Sequence, residues 1–177
     1  KVLAEQLAIY NYRLLSSVNA VEYVFYHFQN SRPGGIERSP NIGAAIRRFN
    51  DESNWVAAEI KLVAKPKDQA ALIGKFIRTA DHSAQLGNFF SLFTILGALC
   101  FPAVTRLRAA WEKVPDKVKR LQTELEGLMN PSKNMKAYRN KLDEFGADQS
   151  RVPCMPLHLK DILFAGEAGQ TLEGSSV

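Results

Sequence analysis

The sequence predicts an all-α protein, an irregular orthogonal array of many helices. Apolar residues recur at intervals of three and four through most of the 177 residues, which is the spacing of an amphipathic helix. Alternation of polar and apolar residues, which would indicate half-buried strands, is missing from the sequence. Glycines and prolines interrupt the periodic segments often enough to predict about eight or nine helices without an internal repeat.

The least polar segment is Ala80 to Glu112, which carries no charge between Leu86 and Val104. A helix that is apolar on all sides is either the centre of a domain or a membrane span. Pro102 interrupts the segment and predicts one helix ending near Cys100 and another beginning near Ala103. These interruptions favour a buried core, and the chain length fits one domain over residues 1–177.

The first third of the chain is predicted to be helical with one long loop. Lys1 to Phe28 fits two successive helices, and the glycines and prolines of Asn30 to Pro40 predict the loop. Ser39 is a good cap for the helix that follows. That helix is expected to break at Asn50 to Ser53, and the apolar period then resumes until Pro66.

The remaining helix boundaries are predicted from capping residues. Asp68 and Asp116 are each expected to cap the helix that begins at their position, and Gly146 is placed to end a later helix. Leu157 to Phe164 fits a short amphipathic helix that has too few neighbours to be well buried. The glycines from Gly166 onward predict a loose tail.

The composition excludes several classes of function. The net charge of +5 is modest and the basic residues are scattered along the sequence, which argues against nucleic-acid binding. The two cysteines, Cys100 and Cys154, form no metal-binding spacing, and no phosphate-binding glycine motif occurs. We therefore expect no metal and no cofactor, and the cysteine usage favours a reducing, intracellular setting.

Covalent catalysis has no recognisable residues in the sequence. His27, His82 and His158 are far apart, so a helical hydrolase would need a convergence of histidine and carboxylate that no motif indicates. Asp143 and Glu144 are adjacent and project about 100° apart on a helix, which does not make a catalytic pair. The function is therefore expected to lie on a surface, in binding another molecule.

Five segments together carry a resemblance to one family. The segments are LAEQL (Leu3 to Leu7), FNDESNWVAAEI (Phe49 to Ile60), FIRTADHSAQLGNFFSLFTILGAL (Phe76 to Leu99), VTRLRAAWEKVP (Val104 to Pro115) and VPCMPLHLKDILFAGEAGQT (Val152 to Thr171). Their order and spacing resemble the catalytic domain of Ras-family guanine nucleotide exchange factors. The last segment is similar to the Rap-directed branch of that family.

The resemblance implies a function without covalent chemistry. Such a factor binds a small GTPase of the Rap or Ras type, preferably in its nucleotide-free form, and promotes release of GDP. In the family a helical hairpin inserts beside switch I, while the bowl-shaped face of the core binds switch II. The resemblance also implies a cytoplasmic location, with recruitment to the inner face of the plasma membrane through flanking domains.

The resemblance assigns residues to three roles. Leu163 would be pushed toward the Mg²⁺ position of the GTPase, and Glu167 would compete electrostatically with the phosphates. Contacts with the GTPase are expected from Phe93, Leu96, Cys100, Asp161 and Phe164, although the residues alone favour capping or ion pairing for Asp161. Structural roles are expected for Asn50, Trp55, Asn88, Arg106 and Trp111, with Asn88 as a helix cap and Arg106 as a partner for carbonyls at a helix end.

The sequence also departs from the family. Gly87 stands where the family often has Asn, Ala109 and Ala110 replace Lys-Thr, and Ala168 stands where Gly is usual. The second hairpin helix and the helices that support it are expected to follow Val177, so the chain alone should exchange nucleotide poorly. The alternative is a binding or adaptor module of the same fold that has lost exchange activity.

Overall fold

The structure is a computed structural model that describes the backbone of residues 1–29, 38–146 and 149–173 and the side chains of residues 1–26, 38–146 and 149–165. Within these ranges it has ten helices and no strand, so the predicted all-α fold is confirmed. The helices are α1 Val2–Ser16, α2 Ala20–Gln29, α3 Pro40–Leu62, α4 Pro66–Gln85, α5 Phe89–Leu99, α6 Pro102–Thr105, α7 Arg108–Trp111, α8 Asp116–Gly127, α9 Ser132–Asp143 and α10 Met155–Glu173.

Helix α5 is the centre of the fold. Every residue from Phe89 to Leu99 except Gly97 is buried, with α3 and α4 packed most closely around them. Each fully buried Phe, Leu or Ile side chain contributes roughly 1.5–3 kcal/mol through removal of apolar surface from water. The predicted buried core and the helix boundary before Pro102 are both confirmed, and no helix of the described residues is long and apolar enough to cross a membrane.

Helix α3 does not break where the sequence predicts. It runs without interruption from Pro40 to Leu62, and Asn50 to Ser53 lie inside it. Glu52 and Ser53 are buried, and the Ser53 hydroxyl donates a hydrogen bond to the Phe49 carbonyl at 3.1 Å. The prediction was wrong because four polar residues without Gly or Pro do not stop a helix when tertiary contacts bury two of them.

The predicted capping aspartates lie inside the first turns of their helices. Asp68 is the third residue of α4, and Asp116 is the first residue of α8. At these positions a carboxylate still interacts favourably with the helix dipole. At the start of α3 a distant side chain supplies the acceptor: the backbone N–H groups of Asn41 and Ile42 donate to the Glu22 carboxylate at 2.8 and 3.2 Å.

The C-terminal region is more regular than the sequence predicts. Helix α9 ends at Asp143, three residues before Gly146. Helix α10 continues through Gly166 and Gly169 to Glu173, where the sequence predicts a loose tail. Isolated glycines are tolerated in a helix when the residues between them are helix formers. The predicted loop from Asn30 to Pro40 lies outside the described residues up to position 37.

Candidate functional site

The first half of α10 is packed against α2 and α3. Met155 and Leu159 are buried in an apolar cluster with Ile42 and Phe90, contrary to the expectation that this helix has few neighbours. On a neighbouring side of α10, the His158 ring lies edge-on to the Tyr23 ring with 5.6 Å between ring centres. Burial lowers the pKa of His158, and the negative charge of Asp161 opposes this shift.

A groove of about 300 Å³ lies between α10 and the helices α2 and α3. Its lining residues are Tyr26, Ile46, Phe49, Asn50, Met155, Pro156, Leu159, Lys160 and Leu163. Leu163 is half-buried here, so part of its surface remains open to a partner. The lining is mostly apolar, which suits contact with another apolar surface.

The segment that precedes α10 is hydrogen-bonded to the start of α5. The Val152 N–H donates to the Gly87 carbonyl at 2.9 Å, and the Phe89 N–H donates to the Val152 carbonyl at 2.9 Å. Gly87 has a φ of +69°, a left-handed conformation that glycine and asparagine adopt most readily. The departure from the family at this position therefore keeps a residue that suits the backbone.

Helix α9 contacts both this segment and α10. The Cys154 N–H donates to the Tyr138 hydroxyl at 3.0 Å, and both side chains are buried. Burial raises the pKa of the Cys154 thiol to about 12 and raises the pKa of Tyr138 above its ordinary value. Arg139 donates two hydrogen bonds of 2.8 Å to the two carboxylate oxygens of Asp161.

Asp161 is thus already engaged within the chain. The hydrogen bonds from Arg139 lower the pKa of its carboxyl, against the opposing effect of burial. The resemblance implies that Asp161 contacts a GTPase, whereas in this structure both of its oxygens accept from Arg139.

The three expected contact residues near α5 differ in exposure. Phe93 is only 7% exposed and lies edge-on beneath Tyr138, with 5.3 Å between ring centres. Leu96 is 0% exposed and serves the core. Cys100, at the end of the helix, is exposed. Partial desolvation of the thiol raises the pKa of Cys100, and the nearby carboxylate of Glu126 raises it further.

The expected contact residues on α10 also differ. Phe164 is 57% exposed, with the Lys160 ammonium 5.4 Å from its ring centre, an arrangement that permits a cation–π interaction. The side chain of Glu167 lies outside the described residues, although its backbone belongs to α10. Phe164 and Cys100 are therefore the most exposed of the expected contact residues whose side chains are described.

The expected structural residues hold varied positions. The Asn88 side chain caps α5 by accepting from the Ser91 N–H at 3.2 Å. The Trp111 indole N–H donates to the Val104 carbonyl at 3.0 Å, so the tryptophan closes the turn between α6 and α7. These bonds satisfy backbone groups that helix ends leave unpaired.

The other three expected structural residues are exposed. Trp55 packs edge-on against Phe76 while its indole N–H donates to Glu59 at 3.1 Å. Asn50 lies at the groove. The Arg106 side chain makes no hydrogen bond to the residues that the structure describes, so the expected bond to carbonyls at a helix end is not found among them.

Sequence reasoning missed two polar arrangements. Arg139 received no role because its partner Asp161 is 22 positions away. Glu52 received none either, yet it is fully buried and accepts hydrogen bonds from Thr94 at 2.7 Å and Asn11 at 3.2 Å. The available signal for Glu52 was a charged residue on the apolar side of an amphipathic helix. Among the described residues, no group of three His, Cys, Asp or Glu side chains is arranged to bind a metal.

Comparison with known proteins places this arrangement in a family. The chain is 37% identical over 169 residues to human (Homo sapiens) Rap guanine nucleotide exchange factor 5, covering 96% of this chain and 28% of that protein. It is 36% identical over 177 residues to human Rap guanine nucleotide exchange factor 3, covering 97% of this chain and 18% of that protein. A Caenorhabditis elegans Rap guanine nucleotide exchange factor is 35% identical over 171 residues, with 97% and 11% covered.

The chain thus spans between 11% and 28% of the length of these relatives. The family profile described as RasGEF domain matches residues 2–176, which is nearly the whole chain. The chain therefore belongs to the RasGEF domain family, and its similar proteins are guanine nucleotide exchange factors.

Proposed function

We propose that this chain binds a small GTPase of the Rap or Ras type and promotes release of GDP from it. Helix α10 would lie beside switch I, and the end of α5 near Cys100 would face switch II. The observation that supports the proposal is the way in which α10 is packed. Its first half is fixed against α2, α3 and α9, while Leu163 and Phe164 keep surface available to a partner.

The mechanism would act on the phosphate and Mg²⁺ site of the GTPase. A small GTPase holds its nucleotide largely through the phosphates and the bound Mg²⁺. An apolar side chain such as Leu163 placed at the Mg²⁺ position would remove ligands without replacing them, and the carboxylate of Glu167 would repel the phosphates. No bond in the nucleotide breaks, so the chain would lower the barrier to dissociation and stabilise the nucleotide-free GTPase.

The first experiment measures release of fluorescent GDP from Rap and from Ras by the chain alone, which is expected to act slowly, and by a longer protein that contains it. Leu163→Ala should slow release by about tenfold, which corresponds to about 1.4 kcal/mol of lost barrier reduction. Leu62→Ala is the matched control, because Leu62 is 82% exposed at the end of α3. Equal rates for the two variants would remove Leu163 from the mechanism.

A second measurement separates exchange from binding alone. The chain and nucleotide-free Rap should migrate together on size-exclusion chromatography, and added GDP or GTP should separate them, because nucleotide and exchange factor compete for one state of the GTPase. An adaptor of the same fold would form the complex without accelerating release.

The proposal also implies a location. GTPases of this type would be encountered at the cytoplasmic face of a membrane.

A further inference from the structure

Aromatic contacts join α9 to α5, and hydrogen bonds join α9 to α10 and to the residue before it; we call Tyr138, Arg139 and Asp161 the α9–α10 clasp. The Arg139 guanidinium donates hydrogen bonds to three acceptor oxygens. Its two Nη groups donate to Asp161 at 2.8 Å each, and its Nε donates to the Asn134 carbonyl at 2.7 Å. Only the planar fork of arginine offers donors in this arrangement.

The backbone at the start of α9 orients the Arg139 guanidinium independently of Asp161. Lys133, Asn134 and Met135 have φ values of 53°, 55° and 60°, so three consecutive residues adopt the left-handed conformation. This turn directs the Asn134 carbonyl at the Arg139 side chain, five residues later. A guanidinium held on one edge loses less conformational freedom when its other edge binds a carboxylate.

The residue before Arg139 extends the clasp to the core. The Tyr138 ring lies edge-on against Phe89 and Phe93 of α5, with 5.3 Å between ring centres in both pairs. Its hydroxyl accepts the Cys154 N–H at 3.0 Å, immediately before α10 begins. Two adjacent residues of α9 therefore connect the central helix to the start and to the middle of α10.

The position of Asp161 on α10 explains how the clasp can fix the orientation of that helix. Successive helix residues are rotated by about 100°, so Asp161 and Leu163, two residues apart, point to nearly opposite sides. Leu159 and Leu163 face the groove on α3, while Asp161 faces α9. Contacts on two opposite sides fix the rotation of a helix about its own axis, which contacts on one side do not.

We propose that Arg139 is a positioning residue that sets the rotation of α10 through Asp161 and thereby the direction of Leu163. This inference rests on the proposed function for its effect on GDP release, but the positioning itself is a property of the free chain. The side chains of Arg139 and Asp161 are 33% and 40% exposed, so the pair should contribute little to global stability. An effect on α10 without an effect on global unfolding is therefore the expected signature.

The test uses Arg139→Gln, Asp161→Asn and the double variant, with Arg108→Gln as the control because Arg108 is exposed and forms no ion pair within the described residues. Amide hydrogen exchange is measured for α10 and for α5. Each single variant should speed exchange in α10 by about tenfold through local opening, while α5 and the urea midpoint stay unchanged. The double variant should be no faster than the singles, because both changes remove the same contact.

GDP release from Rap supplies the second readout. The single variants should lower the maximal release rate at saturating chain about fivefold and leave the half-saturating concentration unchanged. If Asp161→Asn alone raises the half-saturating concentration while α10 amide exchange stays at the wild-type rate, Asp161 contacts the GTPase directly and the clasp is refuted. Additive effects in the double variant, or a fall in the urea midpoint equal to the effect on α10, would also refute it.

If the wild-type chain does not accelerate release at all, the proposed function fails and the clasp is judged on amide exchange alone. An unchanged α10 exchange rate in all three variants then overturns the positioning role. A tenfold increase restricted to α10 supports it, independently of any GTPase.

Discussion

Glu52 is the residue whose replacement should disturb the core most sharply. It is 0% exposed and lies on α3, where its carboxylate faces α1 and α5. The Thr94 hydroxyl donates to it at 2.7 Å, the Asn11 amide at 3.2 Å and the Arg48 guanidinium at 3.1 Å. Two of these donors are fully buried, so a lost acceptor cannot be replaced by water without opening the core.

The magnitude follows from those contacts. A hydrogen bond to a charged group contributes about 1.5–3 kcal/mol, so loss of the bonds from Thr94 and Asn11 sets a range of about 3–6 kcal/mol. Both donors have a second acceptor, because Asn11 also reaches the Ser91 hydroxyl at 2.9 Å and Thr94 also reaches the Ser91 carbonyl at 3.1 Å. We therefore expect Glu52→Ala to lower the free energy of unfolding by about 3 kcal/mol, the low end of the range.

The assay is urea unfolding followed by fluorescence of the two tryptophans. Glu52→Gln keeps an acceptor oxygen for Thr94 but loses the charge, so its cost should be about half that of Glu52→Ala. Glu59→Gln is the control on the same helix and should stay within about 0.5 kcal/mol, because Glu59 is exposed. If Glu52→Ala costs no more than Glu59→Gln, the buried network does not stabilise the core.

Three further predictions concern single sites. Burial raises the pKa of Glu22, but hydrogen bonds at the start of α3 outweigh burial and hold the pKa below 4.5. The stability that results should be present above pH 4.5 and be lost as the pH falls through the lowered pKa. Unfolding measured against pH should show this loss in the wild-type chain and not in Glu22→Gln. Gly87→Ala should lower the free energy of unfolding by about 1–3 kcal/mol, because φ is +69° and the new Cβ would lie 3.0 Å from a ring carbon of Phe145. Gly97→Ala is the control: its new Cβ would have no atom within 4 Å, so it should not destabilise the chain. Thiol alkylation of the folded chain should modify the exposed Cys100 and spare the buried Cys154 until urea is added, and equal labelling would contradict the burial of the segment before α10.

Apolar spacing predicted most of the fold because burial of apolar surface depends on the identity of each residue and its helical register. The core position of α5 follows from its uncharged sequence, and the helix boundary follows from Pro102. The break predicted at Asn50 to Ser53 failed for the opposite reason, since partners on α1 and α5 bury Glu52 in the middle of α3. Whether a polar residue is buried or exposed can be predicted only when the distant residue that forms a hydrogen bond with it is known.

The candidate site could be predicted only in part, for a related reason. The family motif indicates which positions on α10 should meet a partner, and the structure gives Leu163 and Phe164 the exposure that this requires. The sequence predicted a buried core around Phe93 and Leu96 but did not decide whether these two side chains pack or bind a partner, because apolar residues in the two roles look alike in a sequence.

The same ambiguity explains why Asp161 was predicted to contact a GTPase. The family resemblance assigns Asp161 to the GTPase, whereas the residues alone favour helix capping or an ion pair, and the sequence does not identify Arg139 as the partner. A bidentate pair at 2.8 Å makes the intramolecular role available without any partner. A GTPase contact that drew the Asp161 carboxylate away from Arg139 would break that pair, and this cost would leave less free energy for distorting the nucleotide site. A factor that must spend binding energy on opening another protein gains more from a helix that is already fixed in direction, which is why we assign Asp161 to holding α10 and leave the partner to the residues that follow it.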